Sequence, residues 1–406
     1  MKTTSTERNL VRDLAEQVAE VARRPAMTAI QKRWRDVNAL RRPDRAPVWC
    51  RPMGVWDEIL PETSLHCTEP WLREIERQFR QLLHKVDIGD DTPFQAFFDV
   101  PAVFAVTPAT TWGVEIQHHS TGDKGGAWGF NPPLQIETDF NRLIMPHWVL
   151  DRAATQQAME RAHDLLGDIL PVRLQCGPGF DSATIGSAAA ELRGMEQMMV
   201  DMMDQPALMH RLMAYLRDAR LRLLDTWEAT GLLTHNNDSP MLCSDPIGEL
   251  KNQRLTLANC WCAGNSQEFD MVSPDMWEEF CLNYQKPIFA RFGLACYGCC
   301  ENLGRKITGV LSIPNLRIFV CSAWTTLDVA LQHVPPQYCI MWRQKASDVI
   351  LPHQDETIRQ HLIDGARKLQ GRPYQIVLRE LQTLAGHPDR LHRWTQLAIE
   401  AAEKFS

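Results

Sequence analysis

The chain has 406 residues, which is long for one ordinary domain but suits a single α/β barrel with insertions. Its formal net charge is -7 at pH 7, so no basic surface suggests nucleic acid. No apolar run reaches the roughly 18 residues that a membrane span needs. The N-terminus lacks the apolar stretch of a secretion signal, and twelve cysteines without such a signal favour a reducing compartment. We therefore expect a cytoplasmic protein that binds neither nucleic acid nor membrane.

The first 150 residues divide into helices, one short strand and a segment of different composition. Apolar residues at helical spacing predict helices over 7–23, 26–40 and 69–86, and PVWCRPM indicates a short strand that ends near Arg51. Between about 87 and 150, short β-like runs alternate with Gly, Pro and Asp, and no helical period is present. We interpret 1–45 as N-terminal helices and 87–150 as an insertion or β-rich lid of the same domain.

Strands and helices alternate from residue 150 onward. The predicted strands lie in 171–180, 292–299, 317–324, 338–343 and 374–380, and 231–234 indicates another strand end. The predicted helices are 153–166, 188–203, 206–230, 274–292, 303–311, 325–334, 356–370 and 388–404. About five βα units in succession favour a closed barrel or a doubly wound sheet. Neither GxGxxG after a strand nor GxxxxGK[ST] occurs, so nucleotide binding has no support.

The segment 292–303, FGLACYGCCENL, combines an apolar run with a dense group of metal-competent side chains. These side chains are Cys296, Tyr297, Cys299, Cys300, Glu301 and Asn302. Gly298 lets the chain turn sharply among them. The pattern indicates a buried strand that carries chemistry at its C-terminal end, as in parallel α/β enzymes.

Further metal-competent residues lie on both sides of this segment. Glu268 and Asp270 belong to the upstream sequence SQEFD, and Cys321 and Cys339 lie in later apolar runs. Two thiolates and a carboxylate from three strand ends would make a zinc site. Loop-like segments also contain five tryptophans, and loop aromatics in a barrel often line a pocket for a flat apolar ligand. These are Trp49, Trp56, Trp112, Trp128 and Trp148.

Two family resemblances follow from these segments. PVWCRPMG resembles a degenerate entry segment of the uroporphyrinogen decarboxylases, of whose arginines only Arg51 survives. The C-terminal half is similar to the corrinoid-dependent methyltransferases built on the same barrel, in which a strand ends in His-x-Cys and a second Cys lies on a later strand. Here 297–299, Tyr-Gly-Cys, takes the first position with Tyr in place of His, and Cys339 is the candidate for the second. An acid plus two cysteines resembles the variant zinc site of methyltransferases in anaerobic aryl-ether demethylation.

The resemblance implies a single (β/α)8 TIM barrel of the uroporphyrinogen decarboxylase type over 1–406. It further implies a zinc-dependent methyltransferase, an O-demethylase component that moves a methyl group from a small molecule, an aryl methyl ether, to the Co(I) corrinoid (cobalamin) of a partner protein. In this hypothesis Glu268, Cys299 and Cys339 bind zinc. Tyr297 and His235 would take part in catalysis or proton transfer, together with Glu301.

Several alternatives stay open at this point. Cys300, Cys321 or Asp270 could replace a proposed zinc ligand, His235 could be an ordinary loop histidine, and Glu301 could cap the following helix. The methyl donor and the oligomeric state, monomer or homodimer, are not defined. The first rival function is a decarboxylase of cyclic tetrapyrroles that uses no metal. It would require four cations to converge, Arg51, Arg173, Arg317 and Arg343. A non-catalytic metal- or corrinoid-binding accessory protein is the second rival.

Overall fold

The computed structural model describes residues 5–120, 122, 128–179, 181–351 and 355–406. Residues 121 and 123–127 of the predicted insertion and Phe180 of the predicted Gly-rich turn lie outside the described residues, as does the side chain of Trp128. The α-helices are α1 (Ser5–Ala22), α2 (Pro25–Asn38), α3 (Trp56–Ile59), α4 (Pro70–Ile88), α5 (Arg152–Leu166), α6 (Gly186–Arg193), α7 (Met195–Asp204), α8 (Pro206–Thr230), α9 (Pro274–Trp277), α10 (Asn283–Phe289), α11 (Ile307–Leu311), α12 (Leu327–His333), α13 (Ala346–Ile350), α14 (Asp355–Leu369) and α15 (Asp389–Lys404).

The strands are β1 (Val48–Cys50), β2 (Phe98–Pro101), β3 (Phe104–Thr107), β4 (Gln117–Ser120), β5 (Trp128–Asn131), β6 (His147–Leu150), β7 (Val172–Gln175), β8 (Trp261–Gly264), β9 (Leu294–Tyr297), β10 (Leu316–Cys321), β11 (Cys339–Gln344) and β12 (Tyr374–Leu378). None of the helices in the described ranges is both long and apolar enough to cross a membrane.

Six parallel strands form the main sheet, in the order β1-β12-β11-β10-β9-β8. This sheet is curled, and its strand order follows the chain from β8 to β12 before closing onto β1. A separate parallel pair joins β2 to β7. The described strand pairs therefore make a mixed α/β fold with a half-barrel sheet. They do not by themselves close the expected eight-stranded barrel.

Single hydrogen bonds extend the sheet beyond its regular strands. The Asp91 N–H donates to the Val48 carbonyl at 2.8 Å, and the Thr234 N–H donates to the Cys176 carbonyl at 2.8 Å. The Asn236 side chain then bonds both the N–H and the carbonyl of Trp261, each at 2.8 Å. An amide side chain here takes the place of a backbone ladder. The segment 231–234, which the sequence predicted as the end of a strand, forms no regular strand.

The predicted insertion contributes two antiparallel pairs, β3 with β6 and β4 with β5. Its first strand, β2, instead pairs with β7 in the parallel arrangement. Within 87–150, both antiparallel pairs therefore lie after Pro101.

Three elements differ from the sequence prediction for local reasons. The helix predicted over 188–203 divides into α6 and α7 at Gly194, whose φ of 86° interrupts a right-handed helix. The helix predicted over 274–292 includes a π-helical turn at Glu278–Leu282 and ends at Phe289. β8 was not predicted, because its four residues are all buried and show no alternation that marks a strand.

The two faces of the main sheet belong to different clusters. Cys296, Val320 and Met341 lie in the interior with Trp34 and Trp261. The intervening residues pack outward against the helices, as expected for the two-residue period of a strand. α1 and α4 pack in a further apolar cluster, to which residues of α2 and α5 also contribute. The sheet is therefore buried on both faces, and its strands are mainly apolar between their ends.

Gly293 fixes the position of the strand that leads to the polar edge. A Cβ added there would lie 2.1 Å from the Ala258 carbonyl oxygen and 2.5 Å from a methyl carbon of Ile247. We expect Gly293→Ala to lower the free energy of unfolding by about 1–3 kcal/mol, because a backbone atom must move. Urea unfolding measures this, with Gly179→Ala as the control, since a Cβ there meets nothing within 4 Å. Equal losses in the two variants would contradict the prediction.

Candidate metal site

Polar side chains gather at the C-terminal ends of β9, β11 and β12. Cys299 and Cys300 directly follow β9, beyond the turn at Gly298, whose φ is 117°. Arg343 lies near the end of β11, and Arg379 and Glu380 directly follow β12. Because parallel strands carry these residues to one edge of the sheet, they meet there.

Cys299, Cys300 and Glu380 form a group that can hold a metal ion, and we call them the triad. One potential ligand atom of each residue lies within 4.8 Å of the others. The two Sγ atoms are 3.6 Å apart. Two thiolates bound tetrahedrally to Zn²⁺ at about 2.3 Å would lie about 3.8 Å apart, so the observed separation fits zinc.

Of the two thiols in the triad, that of Cys299 ionises more easily. The Cys300 thiol beside it, together with the nearby Arg343 guanidinium, lowers the pKa of Cys299 to about 6 against the opposing effect of burial. Arg343 Nη1 donates to Cys299 Sγ at 3.4 Å. The pKa of Cys300 is raised, first because it donates to Cys299 and then because of burial. Metal-free protein near neutral pH therefore holds one thiolate and one thiol at this position.

The arginines beside the triad are deeply buried and have fewer acceptors than donors. Arg343 is 2% exposed, and its Nη1 also donates to Glu380 Oε1 at 3.1 Å. Among the described residues, Arg343 Nε and Nη2 and Arg379 Nε and Nη1 have no hydrogen-bond partner. Each unmet buried donor costs about 1–3 kcal/mol, so this edge of the sheet is not arranged for stability alone.

Glu301 holds the loop that carries the two cysteines. Its carboxylate accepts hydrogen bonds from the backbone N–H of Ser266 at 2.8 Å and of Cys299 at 2.9 Å. It is 1% exposed, and burial raises its pKa despite these bonds. Glu301 therefore joins the loop after β8 to the loop after β9, and it is not the cap of the next helix.

The structure does not bring Cys339 to Cys299. Cys339 begins β11, four positions before Arg343 on the same strand and the same face, which corresponds to about 13 Å. Its thiol is fully buried in the interior cluster, where desolvation is the main cause that raises its pKa. The order of residues places Cys339 at the opposite end of the strand from the triad.

Glu268 and Asp270 of the SQEFD segment lie at the same end of the sheet as the triad, but they bind residues of the neighbouring loops. Glu268 Oε1 accepts from Ser187 Oγ at 2.6 Å, and its Oε2 is buried without a hydrogen-bond partner in the described structure. Asp270 Oδ1 accepts from the Asn302 N–H at 2.7 Å. Cys321, the other alternative, donates to the Thr325 carbonyl at 3.3 Å. The described metal-competent group contains Cys300 and Glu380 in place of Glu268 and Cys339.

Tyr297 and His235 also lie apart from the triad. Tyr297 is fully buried on the outer face of the sheet, and its hydroxyl donates to Gln285 Oε1 at 2.9 Å. His235 lies beside the beginning of β8, with Nδ1 at 3.4 Å from the Asn259 carbonyl. Of the six site residues that the sequence suggested, Cys299 and Glu301 meet at one place.

A cleft with aromatic walls opens beside the end of β1 and the beginning of β2. It has a volume of about 490 Å³, and Trp49, Trp56 and Phe97 line it together with Arg51. The Arg51 N–H donates to the Leu378 carbonyl at 2.8 Å, which places the cleft beside Arg379. Trp112 instead contacts Tyr215, and Trp148 lies on β6.

Sequence reasoning missed Arg379 and Glu380, although a signal was present. Both residues end the apolar run YQIVLRE, which was predicted as a strand. The rule that pointed to the end of β9 applies equally to the end of β12. Glu380 also has a φ of 63°, a left-handed conformation that is uncommon for a residue other than glycine and often marks a functional site.

Comparison with known proteins gives a fold but no family. No family model matches the chain, and no curated protein matches it by sequence. A solved structure of a methyltransferase from Methanosarcina mazei is similar, with a TM-score of 0.53 and 12% sequence identity. The alignment covers 93% of this chain and 98% of that protein. At this identity the similarity shows a shared fold over nearly the whole length.

The lowered pKa of Cys299 can be tested by alkylation. We expect iodoacetamide labelling of Cys299 in chelator-treated protein to be half-maximal near pH 6, since the reactive thiolate increases as pH rises through the pKa of about 6. Peptide mass spectrometry across pH 4.5–9 would measure it. Cys300→Ala should move the midpoint upward, because the thiol that donates to the thiolate is removed. A midpoint above pH 8 in both proteins would contradict this assignment.

Tyr297→Phe separates a structural role from a catalytic one. The variant loses the hydrogen bond to Gln285, which itself donates to the Ala183 and Asn265 carbonyls. We expect a loss of about 1 kcal/mol in the free energy of unfolding and unchanged zinc content. Calorimetric unfolding and metal analysis measure the two effects. Loss of zinc with unchanged stability would contradict the structural role and support a role of Tyr297 at the metal site.

Proposed function

We propose that this protein is a zinc-dependent methyltransferase that moves a methyl group from an aryl methyl ether to the Co(I) corrinoid of a partner protein. The observation that carries the proposal is the triad of Cys299, Cys300 and Glu380 at the ends of parallel strands. The triad supplies two sulfur ligands and one oxygen ligand, a set suited to Zn²⁺. Three protein ligands leave a fourth position for a substrate atom, as in catalytic zinc sites.

The charges around the triad support an ion of this kind. Two thiolates and a carboxylate carry three negative charges, which Zn²⁺ reduces to one. The Arg343 guanidinium contacts both Cys299 and Glu380 and offsets the remaining charge. Bound zinc would act as a Lewis acid that stabilises the negative charge developing on the leaving oxygen.

The remaining residues would position the metal ligands and the substrate. Arg343 holds Cys299 and Glu380 from the interior side, and Glu301 fixes the backbone of Cys299. The cleft beside Arg51 has the aromatic walls that suit a flat ring. Such a ring would be held next to the sheet edge that carries the triad, which brings donor and metal-competent group together.

The fold and the sequence resemblance support the same class of reaction. The structurally similar protein from Methanosarcina mazei is a methyltransferase, and the alignment spans almost both chains. The corrinoid acceptor and the aryl ether come from the sequence resemblance. Methyl transfer to a partner requires a site open at the surface, and Cys299, Cys300 and Glu380 are each partly exposed.

The rival decarboxylase is not favoured by the placement of its four arginines. Arg317 donates to the Asn38 carbonyl near the beginning of β10. Arg173 is paired with both Asp99 and Asp238. Arg317 therefore lies away from the other arginines, and the charge of Arg173 is already offset by two carboxylates. The four arginines do not converge on one site for a polycarboxylate.

Metal analysis of substituted proteins tests the proposal. We expect about one zinc per wild-type chain. Zinc affinity should fall at least about tenfold in Cys299→Ser, Cys300→Ser and Glu380→Gln, because each removes a ligand. Cys339→Ala is the matched control, since Cys339 lies in the interior cluster, and it should retain the metal. Absence of zinc in wild-type protein prepared without chelators would refute the zinc site.

An activity assay follows for the zinc-loaded protein. Methoxylated aromatics and a reduced corrinoid protein should give the phenol only when both are present with the enzyme. The three ligand variants should lose this activity, and Cys339→Ala should keep most of it. Stoichiometric zinc without transfer from any methoxylated aromatic would favour the accessory-protein alternative.

A further inference from the structure

The buried arginines beside the triad present several donors to one place. Arg343 and Arg379 are 2% and 6% exposed. Nε and Nη2 of Arg343, and Nε and Nη1 of Arg379, lack a hydrogen-bond partner within the described ranges. Ionised guanidinium groups in a buried position require acceptors, and four of these N–H-bearing atoms have none.

A third arginine adds to the positive charge. Arg51 follows β1, and its backbone N–H donates a hydrogen bond to the carbonyl of Leu378, the residue before Arg379. Burial is the main cause that lowers the pKa of Arg379, and the charges of Arg343 and Arg51 lower it further. The three guanidinium groups therefore repel one another in a site that is partly shielded from water.

Glu380 cannot neutralise this cluster together with a metal ion. Its Oε1 lies 3.1 Å from Arg343 Nη1 and 3.7 Å from Arg379 Nε. The same carboxylate belongs to the triad, so its negative charge would be neutralised in part by a bound metal ion. With zinc in place, the triad has one negative charge left for three arginines, and two positive charges remain without a counter-charge.

We propose that Arg343 and Arg379 bind a carboxylate of the substrate, so that the methyl donor is an anionic aryl methyl ether. This inference rests on the proposed methyl transfer and adds the substrate class to it. A guanidinium plane matches a carboxylate in a two-point contact, which would satisfy the donors that have no partner among the described residues. Arg51 is exposed and lines the aromatic cleft, and its charge acts on Arg379, so it would attract the anion toward the two buried arginines.

Calorimetric titration of zinc-loaded protein tests the carboxylate site. The probes are 4-methoxybenzoate and its neutral counterpart 4-methoxybenzyl alcohol. We expect wild-type protein to bind the acid at least about tenfold more tightly. Arg379→Met should bind the two probes nearly equally, because the second guanidinium is lost. Arg379→Lys keeps the charge but not the two-point geometry, and it should retain part of the preference.

Arg317→Met is the matched control. Arg317 is a partly buried arginine near the beginning of β10, away from the triad, and its removal should leave the preference for the acid unchanged. Equal binding of the two probes by wild-type protein would overturn the inference, whether or not the variants fold. A preference that survives in Arg379→Met would overturn it as well.

These outcomes are distinct from failure of the proposed function. If the neutral ether is demethylated as fast as the acid and binds as tightly, methyl transfer stands and the carboxylate site is refuted. If the acid binds through Arg379 but no methyl group is transferred to a corrinoid, the anion site stands and the proposed reaction falls.

Discussion

The contact between the Arg343 guanidinium and two acidic groups organises the edge of the sheet. Arg343 is on β11, whereas Cys299 follows β9 and Glu380 follows β12. A single buried cation therefore fixes the separation of side chains from three strands. Without it, a thiolate and a carboxylate at this distance would repel each other in a medium of low dielectric constant. The triad can exist before any ion binds because this positive charge is already present.

Glu301 complements Arg343 from the other side of the cysteine loop. Its buried carboxylate accepts N–H groups from the ends of two neighbouring strands, so Cys299 is held by its backbone as well as by its side chain. A site supported in this way on a rigid sheet needs little reorganisation on binding. Both supports are ionisable groups in the interior, and such groups are tolerated only when they are hydrogen-bonded or paired.

The sequence pointed to the strand end at which the triad lies, but it did not group the residues that meet there. An apolar run followed by Gly298 and polar residues indicated a strand end, and β9 ends there with Gly298 in a left-handed turn. Cys339 was chosen for its residue type, although it begins its apolar run, and in a parallel sheet only the ends of strands reach this edge. The two-residue alternation of a strand likewise sends Tyr297 to the face opposite Cys296.

The mixed α/β character of the fold was within reach of the sequence because regular βα units leave a strong periodic signal. Details that depend on single backbone or side-chain contacts were not. β8 is too short and too fully buried to show a period, and the Asn236 side chain replaces a strand ladder that no pattern would reveal. The left-handed conformation of Glu380 is equally local, yet it points the carboxylate at Arg343.

At this edge of the sheet, groups suited to ligand binding destabilise the protein without ligands. The unmet donors of Arg343 and Arg379 and the closely spaced triad all raise the free energy of the protein without ligands. An ion that binds the triad, or an anion that binds the arginines, stabilises the folded chain by satisfying these groups. Zinc offsets the negative charge of the triad, which would otherwise repel an anionic substrate. The anion in turn offsets the positive charge of the arginines, which would otherwise repel zinc. Metal and anionic substrate are therefore expected to favour each other's binding through the charges on β11 and β12.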